Sequence, residues 1–498
     1  MSAHRRIKFA VGVTWLSRFV SIALGLVLIP VLFRNLGDEE LGVWFILGQS
    51  SAFLILMDMG LAPTLTRRIA FAKGLSGEDV STQLNDQSKA RIADLIATGR
   101  RIYGVLVVAG FGIGWVLGFA FLYQLDLETL EFSTVVLAWT VMCTGYAITI
   151  WASVWTSLLQ GVGQVGWDGF FAMLVNIFVQ VTQIVVVLLG AGLLTIAVVA
   201  AIGAVVSRMA ALVFIKRRHS YLLSTRGKPS LDLFRSMLKP SLKFWATGLG
   251  GFLILKTDQY FIATFEGTAS LPDYQAAYQV LMNVMILSMS FAVASHVFVS
   301  HLWEAGARDE MRAIVLRNVR NALTVMGVGV VTVIIAGQDL FELWLGPGHF
   351  IGYPILIVFA TMLFLETQHS AIAAASRATE DEPFVYWALG AGILNLCLTY
   401  LLIHPLGILG VALGTLFTQL MTNNWYVVWR GLSRLEISLF HYARTVLLPV
   451  AAAVSLVVIF SFGGQAILNI NGAFFSTLWT ALIGSIIILM AFIIQARD

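Results

Sequence analysis

The fold is decided by a stretch in which residues 167–189 read WDGFFAMLVNIFVQVTQIVVVLL and residues 192–215 read GLLTIAVVAAIGAVVSRMAALVFI. A helix that crosses a bilayer needs about 20 consecutive, mostly apolar residues. Each of the two segments meets that length, and only a short turn separates them. The pattern therefore predicts two membrane-spanning helices joined at one membrane surface.

Stretches of this kind follow one another along the whole chain. Of its residues, 58% are hydrophobic and 12% are charged, whereas soluble domains contain about 45–50% apolar and about 25% charged residues. This balance excludes a cytosolic enzyme and a nucleic-acid-binding protein. We predict an all-α polytopic membrane protein with about 14 transmembrane helices. The predicted spans lie near residues 9–33, 42–65, 102–123, 133–160, 167–189, 192–215, 241–265, 273–300, 313–336, 353–376, 383–403, 406–429, 443–463 and 472–494.

The distribution of basic residues predicts the orientation of the chain. Of the 31 lysines and arginines, 27 lie in or directly beside the termini and alternate loops on one side, Arg34 lies on the other side, and three lie within spans. Cytoplasmic loops carry the excess of Lys and Arg in membrane proteins. We therefore expect a multi-pass protein of the cytoplasmic (inner) membrane with both termini in the cytoplasm.

Motifs for catalysis or nucleotide binding are absent from the sequence. It contains no Walker A or HExxH pattern, and its loops are too short for a catalytic domain of ordinary size. The glycines at 161, 163 and 166 match GxGxxG, but they follow an apolar helix and are predicted to form a turn. We expect no enzyme activity, no metal, no nucleic-acid partner and no cofactor, with a proton or Na⁺ as the candidate coupling ion.

A weak internal repeat divides the chain. Residues 37–44 (GDEELGVW) align with residues 267–274 (GTASLPDY), so that glycine matches glycine, leucine matches leucine and an aromatic residue matches an aromatic residue. Both copies lie between the first two spans of a six-span set, which predicts two lobes with a substrate path between them. The predicted domains are an N-terminal six-helix lobe (1–215), a cytoplasmic connecting loop (216–240), a C-terminal six-helix lobe (241–429) and two additional helices (430–498).

Three stretches around this repeat resemble a known family. Residues 35–44 (NLGDEELGVW) and 57–61 (MDMGL) resemble the N-terminal signature of polysaccharide-transport flippases, which include the Wzx-type O-antigen flippases. Residues 256–262 (KTDQYFI), followed by Gly267 and Tyr274, resemble the seventh-to-eighth helix region of the same family. The family belongs to the multidrug/oligosaccharidyl-lipid/polysaccharide exporter superfamily. The layout of the first twelve spans agrees with it, while the specific motifs cover only the regions near 30–75 and 250–280.

The resemblance implies both a fold and a function. Members have two six-helix lobes around a central cavity and move polyprenyl-diphosphate-linked oligosaccharides to the outer leaflet by alternating access, for surface polysaccharide assembly. The extra C-terminal helix pair is similar to that of the lipid II flippases, where two added helices contribute a lipid-tail groove. The implied partners are the lipid-linked glycan, membrane lipids and other polysaccharide-assembly proteins, and we expect the chain to act as a monomer.

Charged residues inside the predicted spans are candidates for substrate contact, because a charge in the membrane is costly. Arg18 lies about 13 Å into the first span, and its planar guanidinium suits a phosphate. Asp58 lies at comparable depth, so either substrate contact or an Arg18–Asp58 ion pair explains both residues. Lys256 is a cavity candidate because a lipid diphosphate needs cations, and we expect it to face Arg18 across the two lobes. Asp258 either joins this site or lies at the outer interface.

Other intramembrane polar residues have two interpretations each. Glu366 is either an ion-coupling site or a carboxyl group hydrogen-bonded within the protein. Gln180 and Gln183 share a helix face with Asn176, and this stripe either lines a sugar-binding cavity or forms interhelical hydrogen bonds. Arg208, near the inner end of the sixth span, is expected to snorkel to the interface.

Two other functions remain open at this point. A cation-coupled multidrug or small-molecule antiporter would have the same fold, although cations in the substrate path do not suit cationic drugs. A polymerase or ligase acting on lipid-linked sugars would share the composition. Such an enzyme usually needs a large outer loop, and the longest outer loop here, near residues 339–352, contains no Lys or Arg.

Overall fold

The computed structural model describes residues 3–76, 84–304, 306–378, 385–468 and 472–495, and these residues form helices and connecting turns. The first helices are α1 (Ala3–Asn35), α2 (Asp38–Leu56), α3 (Leu61–Gly74), α4 (Asp86–Leu122), α5 (Phe132–Gly161), α6 (Val165–Leu188), α7 (Leu193–Arg218), α8 (Leu231–Leu255) and α9 (Asp258–Phe265). They are followed by α10 (Leu271–Glu304), α11 (Arg308–Leu345), α12 (Tyr353–Ala378), α13 (Val385–Met421), α14 (Asn423–Arg434), α15 (Leu439–Tyr442), α16 (Leu448–Leu468) and α17 (Ala473–Gln495). The all-α prediction is confirmed.

Many of these helices suit a membrane. Within the described ranges, 10 helical segments are long and apolar enough to cross a bilayer, which makes the chain a multi-pass membrane protein. One segment is 50 residues long and joins α13 to α14. It contains a break at Gly407, whose φ is 55°, close to the turn predicted between residues 403 and 406. The count of 14 helices stays a prediction.

The second predicted span is not one continuous helix. Its α2 segment ends at Leu56 and its α3 segment begins at Leu61, and Met59 and Gly60 between them have positive φ values of 51° and 69°. A positive φ is uncommon for any residue except glycine. The apolar run is therefore interrupted by a backbone break that apolar composition alone does not reveal.

Contacts on both sides hold this break in place. A Cβ atom on Gly60 would lie 2.5 Å from the carbonyl oxygen of Ser241, so only glycine allows the two segments to approach so closely. The Oδ2 atom of Asp58 accepts a hydrogen bond from the backbone N–H of Ala62 (3.0 Å). Asp58 thereby satisfies one of the N–H groups that the first turn of α3 would otherwise leave unpaired.

The seventh predicted span is also divided. Its α8 segment ends at Leu255 and α9 begins at Asp258, with Lys256 and Thr257 between them. The hydroxyl of Thr257 donates a hydrogen bond to the carbonyl oxygen of Leu253 (2.8 Å). The division places a charged residue where the helix is interrupted.

The helices form two compact units. Unit 1 contains residues 1–252 and 267–271, and unit 2 contains residues 253–266 and 272–498. Each unit has an apolar core of its own. The core of unit 1 includes Leu65, Ile69, Ile92, Leu95, Leu158 and Ile215, and that of unit 2 includes Met311, Leu323, Ile372, Leu432 and Val446. The predicted division into two lobes and two added helices stays a prediction.

The acidic residues of the 37–44 motif connect the start of α2 to two other segments of unit 1. The Glu39 carboxylate accepts hydrogen bonds from the backbone N–H groups of residues 128–130, at 2.7, 2.7 and 3.0 Å, and from the Thr129 hydroxyl. The Oε1 atom of Glu40 accepts one from the backbone N–H of Leu193 at the start of α7 (2.6 Å). The motif is therefore part of the scaffold at the predicted outer face.

A glycine in the same motif allows a close backbone approach. A Cβ atom on Gly42 would lie 1.9 Å from the carbonyl oxygen of Thr268. Thr268 belongs to the second copy of the repeat, at residues 267–274, and lies in unit 1. The two copies of the repeat thus meet at a contact that admits no side chain at position 42.

Replacing Glu39 with glutamine is expected to destabilise the folded protein by about 1.5–3 kcal/mol at neutral pH, because its hydrogen bonds are charge-assisted. Burial acts to raise the pKa of the Glu39 carboxyl, but the Thr129 hydroxyl and the backbone N–H groups outweigh it and hold that pKa below its ordinary value of 4.5. A depressed pKa stabilises the fold above the unfolded-state pKa, and this stabilisation is lost as the pH falls through the folded-state pKa. The difference in Tm between wild type and Glu39→Gln in detergent should therefore shrink below a pH of about 4.5.

The matched control is Glu128→Gln, because the Glu128 side chain is exposed and only its backbone N–H contacts Glu39. This variant should keep the wild-type Tm at every pH. Equal destabilisation by the two substitutions would contradict the role given to the Glu39 carboxylate.

Candidate functional site

A cluster of polar side chains lies inside unit 1, beside the break between α2 and α3. The Asp58 carboxylate interacts with the hydroxyl of Tyr103 of α4, which is fully buried. Arg208 of α7 interacts electrostatically with Asp58, and its Nη1 atom donates a hydrogen bond to the hydroxyl of the buried Thr156 (3.2 Å). Arg208 thus points into the protein, which differs from the expected snorkelling.

The expected pairing of Arg18 with Asp58 is not present. Arg18 is half-buried on α1, and no acidic residue in the described part of the chain lies within salt-bridge distance of it. The cation that acts on Asp58 is Arg208 instead. Substrate contact by Arg18 stays a prediction.

The polar stripe on α6 forms interhelical hydrogen bonds. The side-chain amide of Asn176 donates to the Ser21 hydroxyl on α1 (2.6 Å), and the amide of Gln180 donates to Asn176 Oδ1 (3.0 Å). Gln183 is buried and donates to the carbonyl oxygen of Ile196 on α7 (3.3 Å). The stripe therefore connects α6 to both neighbours, and a sugar-binding role for Gln180 and Gln183 stays a prediction.

Asp258, at the start of α9, is the centre of a buried polar cluster in unit 2. Its Oδ2 atom accepts a hydrogen bond from the Tyr274 hydroxyl (2.8 Å), and its Oδ1 atom accepts one from the Thr415 hydroxyl (3.1 Å). Only 7% of Asp258 is exposed. The residue is therefore buried within unit 2, and its depth relative to the membrane surface stays a prediction.

Further buried oxygen atoms lie in the same region without hydrogen bonds. Among the described residues, Asn395 Oδ1 and Thr399 Oγ1 have no partner. The side-chain amide of Asn395 donates to the carbonyl oxygen of Leu253 (3.0 Å), which lies five residues before Asp258. Burying an oxygen without a hydrogen-bond partner costs free energy, so these oxygen atoms are available to coordinate a cation or to accept a hydrogen bond.

Helix packing brings Thr399 close to the same cluster. A Cβ atom on Gly414 would lie 2.8 Å from Thr399 Oγ1, and Gly414 directly precedes Thr415, the hydrogen-bond partner of Asp258. The Asp258 carboxylate and the Tyr274 and Thr415 hydroxyls that contact it are oxygen donors of the kind that suits a hard cation or a proton. No group of three or more His, Cys, Asp or Glu side chains in the described ranges has the geometry to hold a metal ion.

Glu366 of α12 belongs to a separate hydrogen-bonded group in unit 2. Its Oε1 atom accepts from the Ser370 hydroxyl (2.8 Å) and its Oε2 atom accepts from the Gln419 amide (3.1 Å). His369 Nε2 lies 3.3 Å from Oε1, and His369 Nδ1 lies 2.9 Å from Asn424 Oδ1. Hydrogen bonding within the protein therefore explains the burial of Glu366, while ion coupling at this residue stays a prediction.

Lys256 is half-buried between α8 and α9. No carboxylate in the described part of the chain lies within salt-bridge distance of its ammonium group. A half-buried cation without an acidic partner attracts an anionic ligand more strongly than one that is already paired, since neutralising it offsets its desolvation. Lys256 in unit 2 and Arg18 in unit 1 share this property.

The structure thus divides the predicted site residues among several environments. Asp258 belongs to a buried cluster, and Gln180 and Gln183 form hydrogen bonds on α6. Arg18 and Lys256 are cations without a carboxylate partner among the described residues. Sequence reasoning missed Tyr274 and Thr415 as partners of Asp258. Tyr274 could have been selected from the sequence because it is the aromatic position of the repeat, whereas no sequence feature points to Thr415.

Comparison with known families and structures gives consistent results. The family described as "Polysaccharide biosynthesis protein" matches residues 9–298. A structure of the lipid II flippase MurJ in an inward closed conformation aligns with a TM-score of 0.69 at 16% identity, covering 97% of this chain and 98% of that one. Comparison with curated proteins gives no match.

Multidrug transporters have a similar fold. An inward-facing MATE family transporter of the MOP superfamily aligns with a TM-score of 0.68 at 14% identity, covering 84% of this chain and 98% of that one. A MOP superfamily transporter from Pyrococcus furiosus aligns with a TM-score of 0.61 at 14% identity, covering 88% of this chain and 96% of that one. At these identities the likeness shows a shared fold, and this fold is that of the MOP transporters.

Proposed function

Since this chain belongs to the polysaccharide biosynthesis protein family, we propose that it is a flippase that moves a lipid-linked oligosaccharide across the cytoplasmic membrane. The family match over residues 9–298 carries the proposal, and the transporter fold supports it. The cargo is a polyprenyl-diphosphate oligosaccharide, and transport proceeds by alternating access for surface polysaccharide assembly. The protein acts as a transporter and not as an enzyme.

The two uncompensated cations support an anionic cargo. Arg18 and Lys256 are both half-buried, and neither is neutralised by a carboxylate within the described residues. A diphosphate group brings negative charge into a region of low dielectric constant, where cations stabilise it strongly. We propose that Arg18 and Lys256 contact the diphosphate.

The buried oxygen cluster around Asp258 supports coupling to a cation. Asp258 supplies the charge, and the Tyr274 and Thr415 hydroxyls supply neutral oxygen atoms. Such a set suits Na⁺, and a proton on the carboxyl group is the other candidate. The ion is a transported co-substrate, and no resident cofactor is part of the proposal.

The charge distribution supports the orientation. With 27 of the 31 basic residues in or beside alternate loops and the termini, we propose that both termini lie in the cytoplasm. The proposed partners are the lipid-linked glycan, membrane lipids and other proteins of polysaccharide assembly, with the transporter itself a monomer. Nucleic acid is not among them.

Deleting the gene is expected to remove the surface polysaccharide and to leave its carrier-linked unit on the inner leaflet. The reason is that a large polar glycan cannot cross the hydrocarbon core without a protein. Surface glycan is measured by staining extracted polysaccharide, and carrier-linked sugar by extracting lipids from inside-out vesicles. A plasmid-borne wild-type gene should restore the surface glycan and return the carrier-linked sugar to its wild-type amount.

A deletion strain with a normal surface glycan, in a host lacking a second transporter of this kind, would refute the proposal. If the same strain became more sensitive to cationic drugs, the function would be that of a multidrug antiporter. The fold shared with MATE transporters makes that test necessary.

A further inference from the structure

A groove in unit 1 has no role in the site described above. It has a volume near 620 Å³ and lies between α4 and α8, with Met59 and Leu61 contributing from the region of the α2–α3 break. Its lining is mainly apolar, and Val105, which is 66% exposed, stands at its open side. Its lining residues 102–106 and 241–242 fall within predicted spans, whereas residues 98–101 and 229–238 fall in the segments predicted on the cytoplasmic side. The groove therefore lies at the predicted cytoplasmic surface of the membrane.

Two helical stripes form the walls of the groove. On α4 the lining residues recur at spacings of three and four from Thr98 to Leu106, so they share one helix face. On α8 they recur in the same way from Leu231 through Phe234 and Leu238 to Leu242. The two stripes enclose a channel that suits one long hydrocarbon chain.

One end of the groove is polar and basic. Thr98, Arg101 and Ser230 lie there, on the side that the loop charges assign to the cytoplasm. Arg101 is exposed, and no acidic residue within the described ranges pairs with it. On α8, the exposed Arg235 lies four residues after Leu231 and therefore on the same side of the helix. The groove thus combines an apolar channel with cations at its cytoplasmic end.

We propose that this groove binds the isoprenoid chain of a polyprenyl phosphate carrier, with the phosphate beside Arg101. A polyprenyl phosphate has one chain for each phosphate, which fits a single channel with cations at one end, whereas a phospholipid has two chains. The proposal rests on the proposed function for the identity of the lipid. It differs in position from the lipid-tail groove implied for the C-terminal helix pair, because every lining residue lies in unit 1.

Photocrosslinking of the reconstituted full-length protein tests this groove. The probe is a C20 polyprenyl phosphate with a diazirine on its chain, added to phosphatidylcholine vesicles, and labelled peptides are identified by mass spectrometry. We expect labelling of residues 98–106 and 231–242. Val105→Trp should fill the opening and abolish this labelling, while Val108→Trp should not, because Val108 is 75% exposed on the same helix but does not line the groove.

A second pair of variants tests the phosphate contact. Arg101→Gln should weaken labelling by the polyprenyl phosphate and leave labelling by the uncharged polyprenol probe unchanged. Arg91→Gln is the control, since Arg91 is exposed on α4 outside the groove. Equal loss with both probes would contradict the assigned role of Arg101.

Three outcomes would overturn the proposal. These are unchanged labelling in Val105→Trp, no labelling of the two segments in wild type, and equal labelling by a diazirine phosphatidylglycerol, which would make the groove a general phospholipid site. Export is tested separately in the deletion strain. If wild-type protein restores the surface glycan but is not labelled in the groove, only the groove proposal is refuted. If the protein is labelled in the groove but does not restore the glycan, the export proposal is refuted and the groove proposal is supported.

Discussion

Arg18→Ala and Lys256→Ala are each expected to reduce export of the lipid-linked glycan by at least about thirtyfold. Both cations are half-buried and lack a carboxylate partner in the described part of the chain. Removing one partner of a buried charged contact typically costs about 2–5 kcal/mol, and about 1.4 kcal/mol corresponds to a factor of ten. Export is measured as the appearance of glycan in the outer leaflet of proteoliposomes, at equal amounts of folded protein.

Two further variants show whether the effect comes from substrate contact. Arg18→Lys should restore export only in part, because lysine lacks the planar fork that binds two phosphate oxygens. Arg34→Ala, which removes an exposed arginine at the end of the same helix, should export normally. A structural ion pair between Arg18 and Asp58 would be the correct account if three results occurred together. Asp58→Ala would reduce export as much as Arg18→Ala, the double variant with these two charges exchanged would recover full export, and Lys256→Ala would export normally.

Asp258→Asn is expected to abolish the dependence of export on an ion gradient. The substitution keeps the size of the side chain but removes the charge from the oxygen cluster that includes Thr415. A neutral amide neither balances the charge of Na⁺ nor takes up a proton near neutral pH. Export is measured in proteoliposomes with a Na⁺ gradient, with a pH gradient and with neither, and Asp258→Asn should give one low rate in all three.

The matched variant is Glu366→Gln, another buried carboxylate made neutral. Glu366, like Asp258, has hydrogen-bond partners on both carboxylate oxygens, but His369 Nε2 also lies 3.3 Å from Glu366 Oε1 and can hold a counter-charge there. This variant should therefore keep the ion dependence. The opposite pattern, with ion dependence lost in Glu366→Gln and kept in Asp258→Asn, would move the coupling site to Glu366. Tyr274→Phe removes one hydrogen bond from Asp258, and it should shift the ion concentration needed for half-maximal export without abolishing coupling.

Much of the helix layout could be predicted from apolar length. The predicted span 133–160 is α5 at Phe132–Gly161, and 472–494 is α17 at Ala473–Gln495. Apolar length identifies the part of a helix that suits lipid and not the full length of that helix. Thus α4 begins at Asp86 rather than near residue 102, because its first turns carry basic residues that remain helical outside the bilayer.

The breaks in the second and seventh spans could not be predicted in this way. Hydropathy depends on side chains, whereas the break at Met59 and Gly60 is defined by backbone angles. Gly60 and Pro63, which flank the start of α3, are local signals of a helix boundary that hydropathy does not weigh. In the seventh span, Lys256 and Thr257 give a weak signal, since a charged and a polar residue interrupt the apolar run.

The site was predictable in its charged residues but not in their partners. A charge in an apolar span is conspicuous, so Arg18, Lys256 and Asp258 could be selected from sequence. Their environments depend on contacts between distant positions, such as Thr415 with Asp258, which are 157 residues apart. One sequence without such contacts gives no means of choosing between an ion pair, a hydrogen bond and a ligand site.

The hydrogen bonds of Glu39 and Glu40 have a consequence for how the scaffold tolerates sequence change. Both carboxylates bind backbone N–H groups of their own chain, and every residue except proline presents the same N–H group whatever its side chain. Substitutions at residues 128–130 and 193 that keep the backbone in place should therefore leave these contacts intact, whereas a change at Glu39 or Glu40 removes them.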